Sequence, residues 1–263
     1  MNNRISQAFT HGKTFVGFVT GGDPDLVTTG ELVRSMEQAG ADMVEIGIPF
    51  SDPIAEGTVI QAASERALSA GCTVDRLFAL VKELRKTVQV PLLFVTYANP
   101  ILAYGTDRFM AACADAGLDG VIVPDVPYEE RSELEDACRR HGVARISMIA
   151  PTSNERAARI AKESQGFLYC VSSLEVTDMR HQNEIGEKIV QTVRLAKQAA
   201  DIPCVVDCGI STPEQAETMA GFCDGVIVGS AIVRLVEQYG KDSPLFVADY
   251  VKSMKRALSD KGL

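Results

Sequence analysis

A chain of 263 residues with 46% hydrophobic content can bury a sizeable core and has the length at which an α/β barrel runs undivided. Its 35 acids against 26 bases leave a net charge of -9, which excludes a nucleic-acid groove or an anionic membrane as partner and requires any anionic ligand to be held locally. Seven scattered cysteines without a CxxC pair, and the dispersed His11, His141 and His181, form neither a disulfide framework nor a metal constellation, so a reduced cytoplasmic setting is expected. No basic segment leads into an apolar run at the N-terminus, and no apolar stretch approaches the ~18 residues of a membrane span.

In chain order, residues 3–10 read as a short polar helix, and Thr14 to Thr20 as a first strand closed by the turn signal Gly21-Gly22-Asp23-Pro24. Leu26 to Glu37 places Leu26, Leu32, Val33 and Met36 at helical spacing and stops at Gly40. Met43 to Ile48 is a second strand, bulky and β-branched, with Glu45 in its middle. An unpaired carboxylate there is costly to bury, so Glu45 is either ion-paired in the core or placed for chemistry. Pro49, Pro53 and Gly57 end this strand and force a loop carrying Glu56, which taken alone reads equally well as a solvated loop acid. Thr58 to Ala70 is helical with Gly71 as its stop, and Asp75 opens a second helical segment to Val88.

The alternation continues. Pro91 to Tyr97 is a strand, Asp107 to Ala116 a helix, and Gly120 to Pro124 a strand ending at Asp125. Glu129 to Arg140 is a helix, Ala144 to Ile149 a strand, Asn154 to Glu163 a helix, and Gly166 to Val171 a strand. Residues 172–183 form a long polar loop of the kind that serves as a lid. Then come helix Glu184 to Gln198, strand Cys204 to Asp207, helix Pro213 to Ala220, strand Gly225 to Val228, and a last helix over Ser243 to Ser259. Eight strands alternating with helices predict an α/β fold, a (β/α)8 TIM barrel forming a single domain over residues 1–263 with a short N-terminal helix. An open doubly wound sheet is the alternative, but Gly21-Gly22 lacks the third glycine and the ribose acid of its fingerprint.

In a barrel, functional groups lie at the C-terminal ends of strands. Glu45, Asp125, the long loop and two late glycine turns all fall on that face. Cys208-Gly209-Ile210-Ser211-Thr212-Pro213 follows the seventh strand, and Val228-Gly229-Ser230-Ala231 follows the eighth and opens a helical run to Glu237. Their positions suit a phosphate site, where glycines admit backbone N–H groups and a helix N-terminus adds partial positive charge. The plainer reading makes Gly209 a turn residue and Ser211 or Thr212 a helix cap.

Six segments together resemble the α subunit of tryptophan synthase over essentially the whole chain. They are Phe18-Val19-Thr20-Gly21-Gly22-Asp23-Pro24, Glu45-Ile46-Gly47-Ile48-Pro49-Phe50-Ser51-Asp52-Pro53, Tyr97-Ala98-Asn99-Pro100, Asp125-Val126-Pro127, Gly209-Ile210-Ser211 and Gly229-Ser230-Ala231-Ile232-Val233. The resemblance implies a lyase that cleaves indole-3-glycerol phosphate to indole and glyceraldehyde 3-phosphate without cofactor, and passes indole to a pyridoxal-phosphate β subunit. Such a retro-aldol cleavage needs indole C3 protonated, the side-chain hydroxyl deprotonated and charge on the ring nitrogen stabilised. The resemblance also implies roles: Glu45 as general acid/base, Glu56 in place of an aspartate near the indole N–H, Phe18 lining the pocket, Tyr169 at the site, Thr177 on the lid, and Gly209, Gly229 and Ser230 at the phosphate.

The chain departs from the family pattern at five positions. Glu56 is one methylene longer than the usual aspartate. The lid Gly-Val-Thr-Gly reads Glu175-Val176-Thr177-Asp178. Asp207 replaces a glycine and Cys208 an aromatic residue. Acids at 178 and 207 would repel a bound dianion unless they point away or pair with a base such as Arg180. Two other functions fit the same residues: a catalytically weak homologue that binds and activates a β subunit, or a barrel lyase for a related indole or non-phosphorylated substrate. The enzyme is the favoured expectation, because a non-catalytic partner has little reason to keep a buried acid at Glu45.

Overall fold

The fold is taken from a computed structural model, which describes residues 3–152, 154–172 and 182–259. The strands are β1 Thr14–Thr20, β2 Met43–Gly47, β3 Leu92–Val95, β4 Gly120–Ile122, β5 Ala144–Arg145, β6 Ser147–Ile149, β7 Leu168–Val171, β8 Cys204–Asp207 and β9 Gly225–Val228. They form one sheet in the order β5-β4-β3-β2-β1-β9-β8-β7-β6, with parallel pairing between neighbours. The expected fifth strand, residues 144–149, is divided between the two ends of this order. Ala144 pairs with Gly120 on one side, while Met148 pairs with Tyr169 on the other. Ile146 joins the halves and donates its N–H to the Val121 carbonyl at 3.0 Å. A tilted barrel strand is staggered against its neighbours, so its first half reaches one and its second half the other. The nine segments are thus the eight expected strands of a TIM barrel, and the chain itself closes the sheet.

Alternation along the strands makes two apolar compartments. Phe15 and Val19 of β1 face outward, onto Leu32, Val33 and Met36 of helix α2 (Leu26–Gln38). Val16, Met43, Leu93, Ile122, Val205 and Ile227 face inward and fill the barrel. Helix α1 (Asn3–Gln7) stops short of the expected residue 10. Its Ile5, with Ala8 and Phe9, packs on the inward residues, and Phe9 lies 5.9 Å from the Phe167 ring. The bottom of the barrel is therefore plugged, which leaves the C-terminal mouth for a ligand.

The remaining helices are α3 Thr58–Ser69, α4 Val74–Leu84, α5 Ala98–Tyr104, α6 Thr106–Ala116, α7 Ser132–His141, α8 Asn154–Glu163, α9 Gln182–Ala199, α10 Pro213–Ala220, α11 Ser230–Tyr239 and α12 Ser243–Ser259. Helix α5 has no counterpart among the expected elements, which pass from the strand ending at Tyr97 to the helix beginning at Asp107. Pro100 falls in the first turn, where its missing N–H would have no intrahelical partner, and Asp125 accepts the Ala98 N–H through its two oxygens at 2.9 and 3.1 Å. The expected loop at 172–183 falls almost wholly outside the described residues. Among the described residues no helix is long and apolar enough to cross a membrane.

Barrel closure leaves little room between β9 and β1. A Cβ added at Gly225 would lie 2.5 Å from the Thr14 carbonyl oxygen, a backbone atom that cannot swing aside. Gly225→Ala should therefore destabilise the protein by about 1–3 kcal/mol, read as a lower urea midpoint. An unchanged midpoint would mean that the two strands separate at no cost.

Candidate active site

A cavity of about 800 Å³ opens at the C-terminal mouth. β1 supplies Phe18, β2 supplies Glu45, β7 supplies Tyr169 and the end of β8 supplies Asp207, while the loops beyond add Glu56, Tyr97, Gly209, Gly229 and Ser230. Phe18 can lie across the wall because its neighbours lack side chains. A Cβ at Gly47 would stand 2.6 Å from its Cζ, and one at Gly229 would already touch the ring at 3.5 Å.

Glu45 is fully buried, and neither of its carboxyl oxygens has a hydrogen-bond partner among the described residues. Burial first, and the Asp207 charge second, push this carboxyl well above the usual carboxylate range and so favour its protonated form. Asp207 occupies the opposite situation. Burial raises its carboxyl too, but the Tyr169 hydroxyl donates to its Oδ2 at 2.7 Å and the Gly209 N–H donates as well, both favouring the ionised form. Tyr169 is in turn pushed well up by burial and by the two neighbouring carboxyls. Glu56 is half-buried; burial raises it, and the Tyr97 hydroxyl beside it opposes that shift. The same hydroxyl accepts the Ala55 N–H at 3.2 Å.

At the rim, Gly209 adopts a left-handed φ of 63°, and Thr212 caps α10 in a box with Gln215. The Gln215 Oε1 also accepts the Ser211 N–H at 2.8 Å, so this turn serves the helix first, as the plainer reading had it. Both turns line the cavity, and at the second one, Gly229, Ser230 and Ala231, the N-terminus of α11 is followed one turn on by Arg234. Partial positive charge and a guanidinium thus face one side of the opening. Among the described residues no group of three or more histidine, cysteine or acidic side chains converges as a metal site would.

Of the residues singled out from sequence, Phe18, Glu45, Glu56, Tyr169, Gly209, Gly229 and Ser230 line this one cavity. Thr177, with Glu175, Asp178 and Arg180, lies outside the described residues. Asp207 points inward, where its carboxyl accepts from the Tyr169 hydroxyl and from the Gly209 N–H of the first glycine turn. Cys208 packs on the outer apolar layer. Asp125 lines the cavity, but both its oxygens are engaged at the start of α5. Lining residues not selected as ligand groups include Tyr97, Arg145, Arg156, Arg234 and Asp207. Asp207 carried the same signal as Glu45, an acid on an apolar strand.

The family model for the tryptophan synthase alpha chain matches residues 6–259. The chain belongs to this family. It is 44% identical over 259 residues to the tryptophan synthase alpha chain of Halalkalibacterium halodurans, covering 97% of each, and 46% identical over 237 residues to that of Shouchella clausii, covering 90% of this chain and 87% of the relative. Among solved structures, tryptophan synthase subunit alpha from Legionella pneumophila superposes with a TM-score of 0.88 at 35% identity, covering 99% of this chain and 100% of that one. The tryptophan synthase alpha barrel therefore carries, in this chain, a buried acid without a partner.

That acid makes stability depend on pH. The folded carboxyl keeps its proton to a higher pH than the unfolded one, which titrates near 4.5. The native state thus binds the extra proton, and its stability falls as pH rises from that value until the folded Glu45 itself ionises. Glu45→Gln removes this dependence. The variant should gain on the parent by about 1.4 kcal/mol per pH unit in that window. Urea unfolding across the window checks this, and parallel pH slopes for the two proteins would contradict it.

Proposed function

We propose that the cavity binds indole-3-glycerol phosphate, with Glu45 at the reacting carbon and the phosphate at the α11 rim. As a member of the tryptophan synthase alpha chain family the protein is a lyase, releasing indole and glyceraldehyde 3-phosphate. The observation that carries the residue roles is Glu45: an acid buried without a partner, its proton held more tightly than in water, on the wall of the cavity. Such a group is suited to protonate indole C3, since a general acid must still hold its proton at the working pH.

The other roles follow from position. Glu56 accepts the indole N–H as positive charge develops on the nitrogen, and the Phe18 ring forms an apolar wall for the indole. Gly209, Gly229 and Ser230 hold the phosphate, helped by the α11 N-terminus and Arg234. Tyr169 stands beside the reacting carbon, and Thr177 belongs to the lid. No cofactor is called for, because every step is a proton transfer or a redistribution of electrons within the substrate.

A β subunit is the partner, in the cytoplasm. Among the solved relatives is a tryptophan synthase complex from Pyrococcus furiosus, 30% identical with a TM-score of 0.85. The segments that by resemblance face the β subunit, Pro49 to Pro53 and Tyr97 to Pro100, are followed closely by Ile54, 76% exposed, and Leu102, 56% exposed. Apolar side chains so open to water on one rim suit a docking surface.

Indole release from indole-3-glycerol phosphate, measured with and without a β subunit, tests the roles. Glu45→Gln should lower turnover by about 100-fold to 10,000-fold. No release by the parent in either setting, with the β reaction still stimulated, would leave only the activator function. Glu56→Asp should lower turnover by about 100-fold, because the Tyr97 hydroxyl meets the longer side chain and a ~1 Å shortfall misplaces the acceptor. A faster Glu56→Asp enzyme would contradict that fit.

A further inference from the structure

Two carboxyl groups, not one, enter the barrel interior. Glu45 comes from β2 and Asp207 from β8, with β1 and β9 between them in the sheet, and both line the same cavity. Their surroundings differ in kind. Glu45 is fully buried with both oxygens unpartnered among the described residues, so nothing there favours its charged form. Asp207 is half-buried and receives the Tyr169 hydroxyl at 2.7 Å and the Gly209 N–H. The titratable groups facing Asp207 are Tyr169 on β7, Glu45 on β2 and its own neighbour Cys208. When two acids share an apolar site, one proton settles on the acid without donors and the charge on the acid that has them.

We propose that Asp207 is a second catalytic carboxylate, which takes the proton of the substrate's hydroxyl while Glu45 delivers a proton to ring C3. This rests on the lyase reading above and deepens it by dividing the acid and base roles between two residues. Glu45 transfers its proton to C3, the ring π electrons form the new C–H bond, and positive charge appears on the ring nitrogen. Asp207 removes the hydroxyl proton, and the oxygen's electrons become the carbonyl of the released aldehyde. The bond from C3 to the side chain breaks, and its electron pair restores the ring double bond and neutralises the nitrogen. Glu45 is then ionised and Asp207 protonated. One proton returned from Asp207 to Glu45 through solvent after product release resets the site, and no co-reactant is consumed.

The division has a physical advantage: Glu45 need not surrender one proton before it can accept another. The Tyr169 bond fixes one Asp207 oxygen and so orients the carboxylate.

The test compares the complex of this chain with a β subunit, as parent, D207N and D207G, by the pH dependence of indole release. D207N keeps an acceptor for Tyr169 and removes the base. Its kcat should fall by about 100-fold with KM little changed, and the acid limb of the kcat profile, which belongs to Asp207, should disappear. D207G should be slow as well, and formate, a carboxylate small enough for the vacated space, should restore part of its rate. A structural role would move neither the limb nor the rescue. D207N with kcat within about threefold of the parent, or D207G with full activity and no response to formate, would overturn the proposal and leave Glu45 to perform both transfers. An inactive parent would overturn the lyase reading and this proposal together.

Discussion

Closure of the parallel sheet is the constraint on which the other features depend. Residues 144–149 bond to β4 through their first half and to β7 through their second, so the sheet is left without an open edge between them. Closure forces inward-facing residues from every strand into one narrow space. It also places the ends of all strands around a single mouth. The plug formed by Ile5, Ala8 and Phe9 then leaves that mouth as the way in. Substrate, acids and anion-binding turns can meet only because strands far apart in sequence terminate on one ring.

Within the ring, low polarity sets the chemistry. The floor of Val95, Ile122 and Ile227 offers Glu45 no hydrogen bond, and water is excluded from its carboxyl. This costs stability, which the two apolar compartments must offset. The same exclusion holds a proton where a proton donor is wanted, a trade of stability for reactivity common at functional sites. Asp207 is the counterpart. It sits near enough to Glu45 to raise it further, yet has two donors of its own. Two acids of similar intrinsic strength thus have unequal surroundings.

Much of this was legible in the residues. Alternating strands and helices, capped by Gly40, Gly71 and the Pro49 to Gly57 loop, announce a barrel, because periodicity and turn chemistry are local properties. Glu45 was conspicuous as an acid in an apolar strand, and the two late glycine turns by their place in the alternation. Other features were not legible. The division of residues 144–149 depends on the stagger between strands. Helix α5 depends on Asp125 reaching Ala98 from the next strand end. Arg234 looks like any charged residue of an amphipathic helix until α11 is placed at the rim.

Asp207 shows the boundary most clearly. In the sequence it is an acid beside a glycine turn, and simple electrostatics makes it an obstacle to a phosphate. In the fold its carboxyl turns inward to Tyr169, 38 positions away in the chain, and becomes part of the acid pair. By itself the sequence determined the order of elements, the family and the identity of the buried acid, since each rests on patterns within a few residues. Only the tertiary structure decided which acid is left without donors and which is given them, because hydrogen bonding and exclusion of water belong to the assembled barrel and to no single segment.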